Sequence, residues 1–253
     1  MPYVHGTGTE KLIKLSIMPE IIQPQPPHIQ STSFSRLSVF EECPKRAKLQ
    51  FIDRIPDPRP RTAADRGTAI HQLAEDYGRG LIADLPKELS KFSDEFSQIR
   101  RLFEKDKALM EDEWGYDQEW KPTEWNGAWL RMKLDALVWL SDEEVVVIDF
   151  KTGRKFGNEI KHGDQCLNYA AATAARYPEV QLIHTELWYL DQNELSYSKH
   201  PRHKALAALA RYDKRHKAVT NATNFPATPN AHACKWCPYK PSGTGHCAEG
   251  VDL

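Results

Sequence analysis

The chain has 253 residues, 40% hydrophobic and 27% charged, with a formal net charge of -1, which fits a soluble globular protein and excludes general basicity as a route to nucleic acid, leaving local patches. No stretch approaches the ~20 apolar residues of a membrane span, and the N-terminus has no apolar core of the signal-peptide kind. A cytoplasmic setting follows, in which the five cysteines point to metal or cluster ligation rather than disulfides.

Residues 1–30 read as a flexible tail. Ile21–His28 is proline-rich and favours extended conformations, and Thr9–Ile17 has the pattern of one short strand. Ser33 caps a helix carrying Leu37 and Phe40, with a break at Cys43-Pro44. Residues 53–62 hold three prolines and predict a loop. A second helix runs from a cap at Asp65 to Gly78 or Gly80. It carries His71, which on its own is either a satisfied polar residue or a metal ligand. Apolar spacing predicts a third helix over 88–112 and a strand over Trp114–Pro122, with Glu119 near its end as a possible extra site carboxylate.

Ala128–Leu140 alternates as a strand. Leu130, Met132, Leu134, Ala136 and Val138 take one face; Arg131, Lys133, Asp135 and Leu137 take the other. Ser141–Glu144 is a turn, and Val145–Gly153 (V-V-V-I-D-F-K-T-G) is a second strand paired to the first. Asp149 and Lys151 share a face at the end of this apolar run. They are either a solvated strand end or an ion site, and pairing brings Asp135 near them. Charges at the end of a hydrophobic strand need partners or an ion.

An alanine-rich helix over Gly163–Tyr177 places Gln165 and Tyr169 on one side and Cys166 among ordinary buried residues. A strand over Val180–Leu190 and its return at Leu195–Ser198 follow. Lys199–Lys217 has seven Lys/Arg against one Asp, a face that is either solvated or available to phosphates. Finally, Cys234-x2-Cys237 and Cys247 supply three thiolates in a Gly- and Pro-rich loop. A metal site needs a fourth ligand, with Cys43 the natural candidate and His232 and His246 the rivals. Spacing does not separate zinc from iron–sulfur.

The ordered set of S-x-S-R-L-x-x-F-x-x-C-P (33–44), R-G-T-A-I-H (66–71), L-D-A-L (134–137), V-I-D-F-K-T-G (147–153), Q-C-L-N-Y-A (165–170) and the terminal cysteines resembles the PD-(D/E)XK nuclease superfamily. Within it, the set resembles the RecB-like branch, which includes iron–sulfur exonucleases found with CRISPR systems and in phages and the nuclease domain of AddB. The resemblance implies an α/β fold with a central mixed β-sheet flanked by helices, an N-terminal helical segment and a C-terminal cysteine-rich loop, all within one nuclease domain over 31–253.

It implies that Asp135, Asp149, Lys151, Gln165 and Tyr169 are catalytic. His71, Asp135, Asp149 and the Phe150 carbonyl would hold Mg2+ or Mn2+. Cys43, Cys234, Cys237 and Cys247 would hold a [4Fe–4S] cluster that staples the two ends of the domain, with Zn2+ as the alternative. Leu134 stands where the motif often has proline. The implied activity is metal-dependent exonucleolytic hydrolysis of DNA with a free end, in recombination, repair or phage DNA processing. Any helicase or recombination partner would be on another chain, and no membrane is involved. A catalytically weak nucleic-acid-binding or CRISPR-adaptation module and a zinc-ribbon binding protein are the alternatives.

Overall fold

The computed structural model describes residues 28–153 and 155–252. The strand expected at Thr9–Ile17 and nearly all of the proline-rich tail lie outside the described residues. The centre is a six-stranded sheet formed by β1 (Ala108–Tyr116), β2 (Pro122–Thr123), β3 (Leu130–Ser141), β4 (Glu144–Lys151), β5 (Leu182–Tyr189) and β6 (Glu194–Pro201). Its spatial order is β2-β1-β3-β4-β5-β6. All neighbours are antiparallel except β4 and β5, which run parallel. A parallel pair needs a crossover, and α5 (Glu159–Arg176) supplies it. The sheet is therefore mixed and flanked by helices, as in the restriction-endonuclease-like core.

The unbroken apolar run of β4 has a simple cause: both of its faces are buried. Val145 and Val147 pack with the alanine-rich face of α5 and with Tyr212 of α6 (Arg202–Thr220). Val146, Ile148 and Phe150 face the other core, built from α3 (Thr62–Gly78) and α4 (Ser93–Phe103). Phe150 meets Phe96 and Trp188 at ring-centroid distances of 5.1 and 5.6 Å. Gly67 lets α3 approach the end of β4, since a Cβ there would lie 3.1 Å from Thr152 Oγ1.

Two sequence expectations are corrected. The helix over 88–112 ends at Phe103, and β1 begins at Ala108. Asp106 turns the chain between them with φ of 56°, so the later apolar residues that fitted a helical period belong to a strand. Nor does β3 keep one apolar face throughout. Leu130, Met132 and Leu134 pack on the α5 side, whereas Ala136 and Val138 pack on the α3 side. The switch falls at Asp135. On β1 it falls at Glu111, between Met110 and Trp114, where the backbone takes a left-handed φ of 49°. A non-glycine residue in that region carries strain, which is common at functional sites.

The basic segment is also a structural one. Arg202 donates to the carbonyls of Ala174 and Tyr177 at 2.7 and 2.8 Å, closing the C-terminal end of α5. Arg215 pairs with Glu41 and Asp164, and Arg211 with Asp164.

His216, on α6, is fully buried among Trp120, Trp129 and Tyr212, with Nδ1 2.9 Å from Thr32 Oγ1. Burial, aided by the Arg215 charge, lowers its pKa to about 3. The folded state therefore holds this ring neutral, while the unfolded chain protonates it below its ordinary value of 6.5. Stability is lost as pH falls from about 6.5 towards 3, on the order of 5 kcal/mol in full. Urea unfolding at pH 7 and pH 4.5 should show a larger acid loss in wild type than in His216→Gln. Equal losses would rule the residue out as the acid-sensitive group.

Candidate active site

The β3–β4 ladder runs from the hairpin turn as far as Ala136↔Ile148. One position further, Asp135 and Asp149 would face each other, but the strands cease pairing. Asp135 Oδ2 instead accepts the Phe150 N–H at 2.5 Å. In an extended strand the N–H and C=O of one residue point the same way, so the Phe150 carbonyl is directed towards β3 as well.

Two linked clusters occupy the opening. In the first, His71 Nδ1 lies 3.1 Å from Asp135 Oδ1 and 3.4 Å from Glu111 Oε1. Candidate ligand atoms of His71, Glu111 and Asp135 all lie within 4.8 Å of one another. Lys133 Nζ approaches Glu111 Oε2 at 2.7 Å. Burial opposes charge on His71, but its bonds to Asp135 and Glu111 outweigh that and raise the pKa to about 10. An imidazolium thus fills the space between two carboxylates. Because a ligating imidazole is neutral, a divalent cation binding there must displace that proton. Burial, then the neighbouring Asp149 charge, pushes the Asp135 carboxyl up.

In the second cluster, Lys151 Nζ lies 2.5 Å from Asp149 Oδ2. Gln165 on α5 bridges both: its Nε2 donates to Asp149 Oδ1 at 3.0 Å, and its Oε1 accepts from Lys151 at 3.0 Å. The same Nε2 also donates to Tyr169 Oη at 2.8 Å. Burial, then the Asp149 and Asp135 charges, raises the Tyr169 pKa well above its ordinary value, so the phenol stays protonated.

The Asp149–Lys151 contact is close, yet Oδ2 is buried and accepts no aligned hydrogen bond. Glu111 Oε1, 3.4 Å from His71 Nδ1, is a second buried carboxylate oxygen that accepts no aligned hydrogen bond. Each would normally carry a desolvation penalty. Hard oxygens beside an imidazole suit Mg2+ or Mn2+, so these residues fit a divalent cation.

The structure therefore brings His71, Asp135, Asp149, Lys151, Gln165 and Tyr169 together. It leaves Glu119 out: that residue is exposed, in the turn after β1. The carboxylate that joins the site is Glu111, which the sequence reading placed inside a helix. The turn chemistry at Asp106 was the signal that could have released it into a strand.

Cys43 lies between α1 (Phe34–Glu42) and α2 (Pro44–Ala47). Cys234 is in α7 (Ala231–Lys235), with Cys237 and Cys247 in the turns beyond. All four line one pocket with Arg46, Leu49 and Lys240. His232 and His246 are exposed and outside that lining. Cys166 is buried elsewhere, under α5, and burial raises its thiol pKa to about 11.

No curated protein matches the chain. Among solved structures, the crystal structure of SSO0001 is similar at 14% sequence identity and a TM-score of 0.42, over 88% of each chain. The model of the PD-(D/E)XK nuclease superfamily, whose members use divalent metals, matches residues 31–242. That span contains the sheet, both side-chain clusters and the first two C-terminal cysteines, and on it the chain belongs to the PD-(D/E)XK nuclease superfamily.

Proposed function

We propose that this chain is a divalent-metal-dependent DNA exonuclease of the RecB-like kind, in which residues 31–253 form one nuclease domain stapled by a [4Fe–4S] cluster. The observation that carries the proposal is the convergence of three buried or half-buried carboxylates on one imidazole and one ammonium, with Glu111 Oε1 and Asp149 Oδ2 buried and accepting no aligned hydrogen bond beside His71 and Lys151. Phosphodiester hydrolysis must overcome repulsion between the nucleophile and an anionic ester. His71, Glu111, Asp135, Asp149 and the Phe150 carbonyl would hold a divalent ion, which would supply charge neutralisation and a more acidic water.

The remaining steps belong to the chain's own side chains. Lys151 Nζ, a donor-only ammonium, orients the attacking water or stabilises charge at the phosphorus oxygens. Gln165 fixes the Asp149 and Lys151 rotamers through its two bonds, and Tyr169 offers a protonated hydroxyl to a phosphate oxygen. The His71–Asp135 contact and the Gln165–Tyr169 bond support the RecB-like placement.

The cysteine pocket supports the cluster. Four cysteines lining one pocket provide the four thiolates that such a cluster takes. Arg46 and Lys240 in the lining, and the charge of Lys45 beside Cys43 and Cys247, offset the negative charge of four thiolates.

End-labelled linear DNA and a covalently closed circle, each with Mn2+ or Mg2+, test the activity. The linear substrate should release nucleotides only with metal, and the circle should persist. Equal loss of the circle would remove the exonuclease reading, and no cleavage of either would remove the nuclease reading.

A further inference from the structure

Beside the candidate active site, two arginines sit together without a counter-ion. Arg36 lies in the first turn of α1, and its Nη1 donates to the Ser31 carbonyl and hydroxyl, both at 2.7 Å. Arg131 is on β3, and its N–H donates to the Thr32 carbonyl at 2.9 Å. This short pairing of residue 32 with the start of β3 brings the two arginines to one groove. Each lies over an aromatic ring: Arg36 5.3 Å from the Phe51 centroid and Arg131 5.2 Å from that of Trp125.

Among the described residues, neither has a carboxylate partner. Arg131 Nε is buried with no acceptor. Arg36 is disfavoured as a cation, first by burial and then by the Arg131 charge. Two like charges held together in a half-buried setting are unfavourable unless an anion joins them. Among the described residues, the lysines beside the site are already matched, Lys133 with Glu111 and Lys151 with Asp149.

The groove lined by Arg36 and Arg131 also contains Ser33, Ser35, Gln165 and Tyr169. It opens directly onto the second catalytic cluster, and the Ser33 and Ser35 hydroxyls, 2.9 Å apart, stand at the N-terminal end of α1, where the helix dipole also favours an anion.

We infer that Arg36 and Arg131 form a clamp for a DNA phosphate adjoining the bond to be cut, with Trp125 and Phe51 holding the guanidiniums in place. This rests on the nuclease reading and adds a substrate-positioning site to it. The clamp takes a phosphate of the strand, either a terminal phosphomonoester or an internal phosphodiester.

The test is binding of fluorescent single-stranded oligonucleotides in EDTA, where no cutting occurs, with a 5′-phosphate, a 3′-phosphate or neither. Arg131→Gln should weaken binding about tenfold and shrink the salt slope by about 0.7, the effect of losing one phosphate contact. Its melting temperature should not fall, since a repulsion is removed. If the clamp holds a terminal phosphate, wild type prefers one phosphorylated oligonucleotide and the variant loses that preference. If it holds an internal phosphate, all three lose affinity equally. A wild-type protein that binds DNA beside an Arg131→Gln protein with unchanged affinity and salt slope would overturn the clamp. A wild-type protein that binds no DNA overturns the nuclease reading, and the clamp with it.

Discussion

Asp149→Asn is expected to slow metal-dependent DNA cleavage at least a thousandfold, about 4 kcal/mol of transition-state stabilisation, while the protein stays folded. The carboxylate is 6% exposed, with one oxygen held by Gln165 and the other facing Lys151. Asparagine keeps the oxygen that accepts from Gln165, and Lys151 keeps its bond to Gln165 Oε1, so the rotamers survive. What is lost is the anionic oxygen that a cation needs. Removing that charge also removes a repulsion from the strand's phosphates, so DNA binding in EDTA should hold or tighten.

Cleavage rates, circular dichroism and EDTA binding measured together separate a chemical defect from unfolding. A folded variant that cuts at the wild-type rate would exclude Asp149 from the site. Glu111→Gln in the same assay should act mainly on the metal. It preserves the shape beside His71 and removes a buried anion, so the Mn2+ concentration for half-maximal cleavage should rise. An unchanged metal requirement would make Glu111 a partner of His71 and Lys133 only.

The contrast between Asp149 and Glu111 shows what a single sequence can carry. Asp149 and Lys151 were legible because they interrupt an apolar run whose periodicity is local, and the hairpin that brings Asp135 near them follows from a turn of two residues. Glu111 was not legible. Its strand pairs with β3 across a long connection, and its left-handed backbone breaks the alternation by which strand residues are assigned to faces.

The same break moves Ala136 and Val138 to the opposite core from Leu134. It also leaves Asp135 between the layers, where it meets His71 from one side and stays within the field of Asp149 on the other. No residue type announces that change, because it comes from tertiary packing rather than propensity. Arg36 and Arg131 are a second example. Arg36 stands in the sequence as one letter of the S-x-S-R-L motif and Arg131 in none, and their shared isolation from carboxylates among the described residues exists only once residue 32 pairs with β3.

Cys43→Ser is expected to have the largest effect on stability. Cys43 lies at a chain reversal near the start of the folded region, whereas Cys234, Cys237 and Cys247 belong to its far end. Direct contacts between these segments are mostly polar and include the Lys45–Glu249 ion pair and an Arg59 bond to the Trp236 carbonyl. Lys45 N–H donates to Pro226 O at 3.2 Å, Thr228 Oγ1 to Glu42 O at 2.8 Å, and Tyr239 Oη to Ile55 O at 2.9 Å. The local apolar cluster is small, built on Leu49, Tyr239 and Cys247. With an apolar cluster this small, the proposed ligand bonds would carry much of the segment's stability, because binding free energy at a structural site is folding free energy.

Serine cannot supply the thiolate. The variant should lose iron and the visible absorbance of the cluster, and its melting temperature should drop by roughly 10 °C, as a loss of at least ~3 kcal/mol implies for a domain of this size. Cys166→Ser, in a thiol remote from the pocket, should keep full iron content. Iron retained by Cys43→Ser would remove Cys43 from the ligand set. A colourless wild-type protein carrying stoichiometric zinc would replace the cluster with a zinc staple. The loss of stability in Cys43→Ser would then remain, because closure of the two ends rests on the thiolates rather than on the choice of metal.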